Sequence, residues 1–223
     1  MGRSLPAMTD RPIPDTDGRA PASSRPPVPA GRLVLVRHGE TEWSRSGQHT
    51  GLTDLPLLPE GEAAAGDIVR ALDGRQFVHV RASPLLRARR TAELAGLEVD
   101  ELDPDLVEWD YGGYEGRSTA DIREELGYPW TVFEHGVVPG DTPGETVEEV
   151  AARASRVLDR VWPMLHEGDV CLVGHGHALR ILTAVYLQQA PRFGDRLTFE
   201  VGSVGVLGHH HESPVIEAWN RRR

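Results

Sequence analysis

Two rhythms alternate along the chain. Short apolar runs at 33–36, 77–80 and 170–173 have the length and β-branched content of strands buried on both faces of a parallel sheet. VGVLGHHH, from residue 204, predicts a late strand. Between these runs the apolar spacing changes to three and four. Residues 59–72 predict a helix with proline in its first turn and Ala63, Ala64, Ile68, Val69 and Leu72 inward. Ser83-Pro84 predicts another helix start, with serine as N-cap and proline at the first helical position. Thr146 and Glu149 have capping-box spacing, and Val147, Val150, Ala154, Val157, Val161 and Leu165 form one apolar face behind them. Residues 178–187 predict the next helix. Strands alternating with helices imply a three-layer α/β/α sandwich around a mostly parallel sheet.

Two stretches follow neither rhythm. Residues 1–31 hold Pro6, Pro12, Pro14, Pro21, Pro26, Pro27 and Pro29 and no run of large apolar side chains. Such a segment cannot bury enough surface to offset its ordering entropy, so a disordered tail is expected, with the folded domain at 32–223. It has no apolar central region of a signal peptide, and Met8 is an alternative start. Residues 104–145 show little periodicity and many aromatics and glycines, which predicts functional loops or a lid.

Composition narrows the function classes. With 39% hydrophobic and 26% charged residues, the chain is that of a soluble globular protein. A net charge of -10 gives no electrostatic footprint for nucleic acid or an anionic membrane, so any anionic ligand needs a local arginine cluster. All 24 basic residues are arginine, which excludes Schiff-base chemistry and a P-loop lysine. Cys171 is the single cysteine, lies in an apolar run and can form no internal disulfide, as suits a reducing, cytoplasmic compartment. No apolar stretch is long enough to span a bilayer, and self-association into a homo-oligomer is left open.

The strand at 33–36 ends abruptly in Arg37-His38-Gly39-Glu40-Thr41. Charged residues at the carboxyl end of a buried strand lie where open α/β sheets hold ligands. Arginine offers a planar fork of donors for phosphate oxygens, and histidine a ring nitrogen able to attack phosphorus. Arg-His alone could equally cap a strand. The run at 170–173 ends likewise, in Gly174-His175-Gly176-His177, where a following helix would aim its amides at an anion. His209, His210 and His211 point alternately to opposite sides of a strand and make a poor chelate, so neither metal nor cofactor is expected.

LVRHGETEWS, SPLLRARRTAEL at 83–94, VEWDYGGYEG at 107–116 and VGHGHALR at 173–180 occur in this order. Together they resemble the signature blocks of the histidine phosphatase superfamily, which includes the cofactor-dependent phosphoglycerate mutases. The resemblance covers residues 32–219 and implies a phosphoglycerate mutase-like fold. It also implies His38 as nucleophile, Arg37 and Arg87 as phosphate forks, and His175 as a third donor, protonated when phosphate is bound. Glu108 is implied as the proton donor to the leaving group. Arg89 and Arg90 compete with Arg87, His177 with His175, and Asp110 and Glu115 with Glu108; Glu115 is expected to pair with Arg117 or cap a turn. Ser44, Gln48, Thr50, Gly51, Tyr111 and Gly176 match positions around the phosphate and substrate, with His177 and Arg180 on the substrate's far part. Within the family the blocks are most similar to sedoheptulose-1,7-bisphosphatase-like enzymes and broad acid phosphatases. Ser44 stands where mutases usually carry asparagine, and 117–145 holds only Arg117 and Arg123. The expected reaction is therefore hydrolysis of a small phosphoester, a sugar phosphate or bisphosphate. A mutase, or an inactive interaction module, is the alternative.

Overall fold

The structure is a computed structural model that describes residues 28–222. The expectations for a tail over 1–27 and a start at Met8 lie outside the described residues. The folded part begins a little before residue 32. Pro29 and Gly31 are buried, the Gly31 N–H donates to the Leu165 carbonyl, and a Cβ at Gly31 would collide with Gly168.

In chain order the main elements are β1 (Leu33–Arg37), α1 (Glu42–Ser46), α2 (Pro59–Leu72), β2 (Phe77–Ala82), α3 (Leu86–Leu94) and β3 (Glu101–Leu102). Then come α4 (Thr119–Leu126), α5 (Val132–His135), α6 (Val147–Val161), β4 (Asp169–Gly174), α7 (Gly176–Tyr186), β5 (Val204–His210) and β6 (Ser213–Arg221). The sheet order is β3-β2-β4-β1-β5-β6, with the first four strands parallel and the last two antiparallel.

The period of two along β1 sorts its side chains between layers. Leu33 and Leu35 join Leu172, Val157, Val161 and Leu179 beneath α6 and α7. Val34 and Val36 join Cys171, Val173, Ile68 and Ala92 beneath α2 and α3. Burial there pushes the Cys171 thiol pKa up, so it is packing, not a nucleophile. Among the described residues no helix is long and apolar enough to cross a membrane.

Several expectations are corrected. The buried stripe of α2 is Gly61, Ala65, Ile68, Ala71 and Leu72, while Ala63, Ala64 and Val69 face out. Gly61 sets this phase, because its missing Cβ lets the helix lie against the backbone of Glu40. Ser83 does not cap α3, which begins at Leu86; its first amide is taken at 2.7 Å by the Asp54 carboxylate of a distant loop. The Thr146–Glu149 capping box of α6 forms as expected. Residues 104–145 are not an open lid. Trp109, Tyr111, Tyr114, Ile122, Trp130 and Phe133 build a third core against α6 and α7. Their apolar payload comes from aromatics at irregular spacing, which hides it from periodicity. The long strand β6 has no clean alternation either, since Pro214, Glu217 and Asn220 interrupt it. Of the three histidines near residue 209, His209 turns inward to within 3.3 Å of the Tyr186 hydroxyl while His210 is exposed.

Asp54→Ala should lower stability by about 1 kcal/mol, the usual cost of a lost helix cap. Chemical denaturation should show the midpoint fall without a change in slope; an unchanged midpoint would mean that the Asp54 contact contributes nothing.

Candidate active site

Three strand ends converge at one edge of the sheet. Arg37, ending β1, is in register with Gly174, ending β4, and the His38 N–H donates to the Gly174 carbonyl at 3.0 Å. Ser83, just past β2, donates its N–H to Val173 at 2.9 Å. The two histidine-glycine turns and the serine turn thereby face one crevice at the carboxyl ends of parallel strands, with the N-terminus of α7 pointing into it.

His38 is buried, and its Nδ1 lies 2.7 Å from the Gly39 carbonyl. A carbonyl only accepts, so Nδ1 carries the proton and Nε2 keeps a bare lone pair. Burial, then the Arg87 and Arg37 guanidiniums, hold the His38 pKa well below its ordinary value. The ring is neutral at pH 7, as a nucleophile requires. Arg37 donates from Nη1 to the Phe199 carbonyl, while its buried Nε has no partner. Gly176 is a glycine for this arginine's sake: a Cβ there would stand 3.0 Å from the Arg37 Cζ.

Arg87 and His175 lie behind the pocket wall instead of lining it. Both are fully buried. Arg87 donates from Nη1 to Thr53 O (2.9 Å), from Nη2 to Gly51 O (2.8 Å) and Thr50 O (3.2 Å), and from Nε to His175 Nδ1 (3.1 Å). Four of its five N–H groups are thus spent within the protein. Since His175 accepts at Nδ1, its proton is on Nε2, which donates to Ser83 Oγ at 2.7 Å. The expectation of His175 as a donor protonated when phosphate is bound concerns the phosphate complex; here the ring is neutral and its N–H is directed to Ser83. Burial and then Arg87 lower its pKa, and its one N–H is already used. In this arrangement the ring orients Arg87. Of the competitors, Arg90 pairs with Glu62 and Glu93 on the surface.

Gly51 also differs from expectation. It is buried away from the pocket, with its carbonyl on Arg87 and its N–H on the Glu115 carboxylate at 2.9 Å. Glu115 also accepts from Thr53 N and so braces this loop; Arg117 pairs with Glu125 instead. Asp110 accepts from Gly112 N and Thr142 Oγ1. Neither Glu115 nor Asp110 lines the pocket.

Glu108 does line it. Its Oε1 accepts from Trp109 N (2.9 Å) and Ala178 N (2.8 Å), and its Oε2 from His177 N (3.0 Å). The carboxylate therefore caps the first turn of α7. Ser44, Gln48, Thr50, Tyr111, Gly176, His177 and Arg180 complete the expected wall of a cavity of about 270 Å³. His49 and Thr119 belong to it as well and were not anticipated. His49 directly follows Gln48, which was the available signal; Thr119 is brought in by the Gln48–Ser118 bridge, which no local pattern announces. The His49 ring lies tilted against Tyr111 at 4.7 Å between ring centroids, and the Tyr111 hydroxyl is 2.5 Å from His177 Nδ1.

A histidine held neutral with one bare nitrogen, beside a buried arginine donor and a carboxyl group, is equipped for phosphoryl transfer. Over residues 33–222 the chain matches the histidine phosphatase superfamily, branch 1. The chain belongs to that superfamily.

An acid phosphatase of Mycobacterium tuberculosis is 38% identical over 183 residues, 81% of this chain and 87% of its own length. A sedoheptulose 1,7-bisphosphatase of Saccharomyces cerevisiae is 38% identical over 186 residues, covering 70% of this chain and 67% of its own. A probable phosphoglycerate mutase of Cronobacter sakazakii is 32% identical over 193 residues, 84% of this chain and 89% of its own. The solved structure of an open reading frame product from Mycobacterium tuberculosis superposes with a TM-score of 0.81 at 35% identity, covering 86% of this chain and 98% of that one.

In this histidine phosphatase the pocket histidines are all uncharged at neutral pH. Burial and then Arg180 lower His177, and burial alone brings His49 to about 4. Among the described residues no group of three acidic, histidine or cysteine side chains is arranged to hold a metal.

Four of the histidines with lowered pKa, His38, His49, His175 and His177, lie in or behind the site and imply a pH dependence of stability. Below their ordinary pKa near 6.5 the unfolded chain binds protons that the folded state refuses. Stability from these groups is therefore complete above about pH 6.5 and lost as pH falls beneath it. In phosphate-free buffer the denaturation midpoint should drop from pH 7 to pH 5, and His49→Gln should flatten the slope. A level profile in the parent protein would contradict the neutral cluster.

Proposed function

We propose that this chain hydrolyses the phosphomonoester of a sugar or similar polyol through a phosphohistidine on His38. The observation that carries this is the Nδ1–Gly39 carbonyl contact, which leaves Nε2 as the free lone pair in a pocket that Arg37 also lines. In the first step Nε2 bonds to phosphorus as the ester P–O bond breaks, and the leaving alkoxide takes a proton from Glu108. In the second, Glu108 takes a proton from water while that oxygen attacks phosphorus and the P–N bond breaks. Inorganic phosphate leaves and His38 is neutral again. Arg37 opposes the charge on the phosphoryl oxygens; one such contact near 4 Å is worth roughly 4 kcal/mol before desolvation. The first step starts with the proton on Glu108 and the second returns it there.

The substrate class rests on the outer wall. Tyr111, His177, His49 and Thr119 are uncharged donors and acceptors, three of them rings set at angles to one another, the chemistry that suits hydroxyl groups and carbon edges. The relatives named acid phosphatase and sedoheptulose 1,7-bisphosphatase agree with it. A mutase reading needs arginines free to grip a glycerate carboxylate. Arg117 is paired with Glu125, Arg123 donates to the Trp130 carbonyl, and neither lines the pocket. An inactive scaffold would have no use for the His38 tautomer. A cytoplasmic setting suits the free thiol of Cys171.

His38→Ala should keep the fold and lose several orders of magnitude in turnover, with no acid-stable or alkali-stable substitute for the trapped phosphohistidine of the parent. Given sugar phosphates beside 3-phosphoglycerate with catalytic 2,3-bisphosphoglycerate, the parent should release phosphate from the sugars and form little 2-phosphoglycerate. Efficient isomerisation with little phosphate released would replace this reading by the mutase one.

A further inference from the structure

Arg153 is charged yet 5% exposed, on the apolar face of α6. All five of its N–H groups are used. Nη1 donates to the carbonyls of Asp105 (2.9 Å) and Val107 (2.7 Å), and Nη2 to that of Glu108 (3.0 Å). Nε and Nη2 also grip the Glu145 carboxylate, at 2.9 and 3.1 Å. Glu145 in turn holds the far side of the same segment. Its Oε2 accepts from Asp110 N (3.0 Å), its N–H donates to Asp110 O (2.9 Å), and its carbonyl accepts from Trp109 Nε1 (2.7 Å).

We propose that the buried Arg153–Glu145 pair is a positioning device for the proton donor, locking the backbone of 105–110 so that the Glu108 carboxyl meets the leaving-group oxygen. The inference rests on the reading of Glu108 as that donor. Two opposed grips define the location of Glu108. From one side Arg153 holds its carbonyl; from the other the first amides of α7 hold its carboxylate. Segment 105–110 has only a short 3-10 turn of its own, at Pro104–Leu106, so local structure does not fix residue 108. A buried guanidinium saturated by carbonyls and one carboxylate is costly to desolvate, and a well-packed apolar residue would serve stability as well. What an apolar residue cannot do is hold the carbonyls of Asp105, Val107 and Glu108 at defined angles. Neither Arg153 nor Glu145 lines the pocket, so the pair reaches the substrate through the segment that it holds.

The discriminating readout is the dependence of rate on the leaving group. An alkyl phosphate needs its departing oxygen protonated, whereas 2,4-dinitrophenyl phosphate does not. Read as kcat/KM, which reports only the step that expels the leaving group, Glu108→Gln sets the reference: a large loss on alkyl esters with little on the dinitrophenyl ester, while its loss as base in the second step falls on kcat for both esters alike. Arg153→Met should lose roughly 100-fold in kcat/KM on alkyl esters, as a donor misplaced by about an ångström would, and less than threefold in kcat/KM on the dinitrophenyl ester. Glu145→Gln keeps the side-chain shape and offers one acceptor oxygen where Arg153 and Asp110 use two. It should shift the ratio in the same direction by less, and it covers the case in which Arg153→Met does not fold. Equal losses on both esters, or no loss on either, would overturn the positioning role. If Glu108→Gln itself leaves the two esters equally affected, then the proton-donor reading has failed first.

Discussion

The register between β1 and β4 is the constraint on which the site depends. Leu33 to Arg37 lie opposite Val170 to Gly174, so the chain leaves both strands at the same height. A slip of two residues would keep the alternation of core faces but separate His38 from His175 by about 7 Å along the sheet. The observed register is held by core packing on both faces and finished by the His38 amide on the Gly174 carbonyl. Gly176 then lets the Arg37 guanidinium lie against the α7 backbone, where any side chain would displace it.

Around that frame the protein spends charged groups on one another. Arg87 is the clearest case, enclosed by three loop carbonyls and a neutral histidine. Its donors shape the loop at 50–53, and His175 is fixed in turn by Ser83. The pocket is left with the guanidinium of Arg37, a histidine lone pair and a capped carboxylate. Uncharged imidazoles are the cheaper state in so enclosed a space, since desolvation penalises the protonated ring.

The segment at 104–145 shows how structure without periodicity can still be core. Trp109 is fully buried and donates its indole N–H to the Glu145 carbonyl, and Trp130 does the same to Gly136. These bonds anchor an aromatic cluster whose outer members, Tyr111 with His49 and His177, become the pocket wall. One set of side chains thus supplies both packing and recognition.

The strands at 33–36, 77–80 and 170–173, the helix at 59–72 and the capping box of α6 were legible because local pattern suffices for them: apolar runs, spacing and cap chemistry act within a few residues. The four signature blocks likewise named Arg37, His38, Glu108 and His175 as candidates. What local pattern could not carry was any choice made between distant groups. Ser83 looked like a helix cap, yet its hydroxyl answers His175 while Asp54 takes the α3 amide. Gly51 looked like a ligand contact and is a carbonyl for Arg87. Arg153, three residues after Val150 and four before Val157, interrupts an apolar stripe, and only the carbonyls of 105–108 explain its presence. β6 went unread because its sequence lacks alternation, yet Asn220 and Trp219 brace the loop whose Phe199 carbonyl holds Arg37. Hydrogen-bond partners far apart in the chain are set by which strand ends the sheet brings together, and that is a property of the folded chain alone.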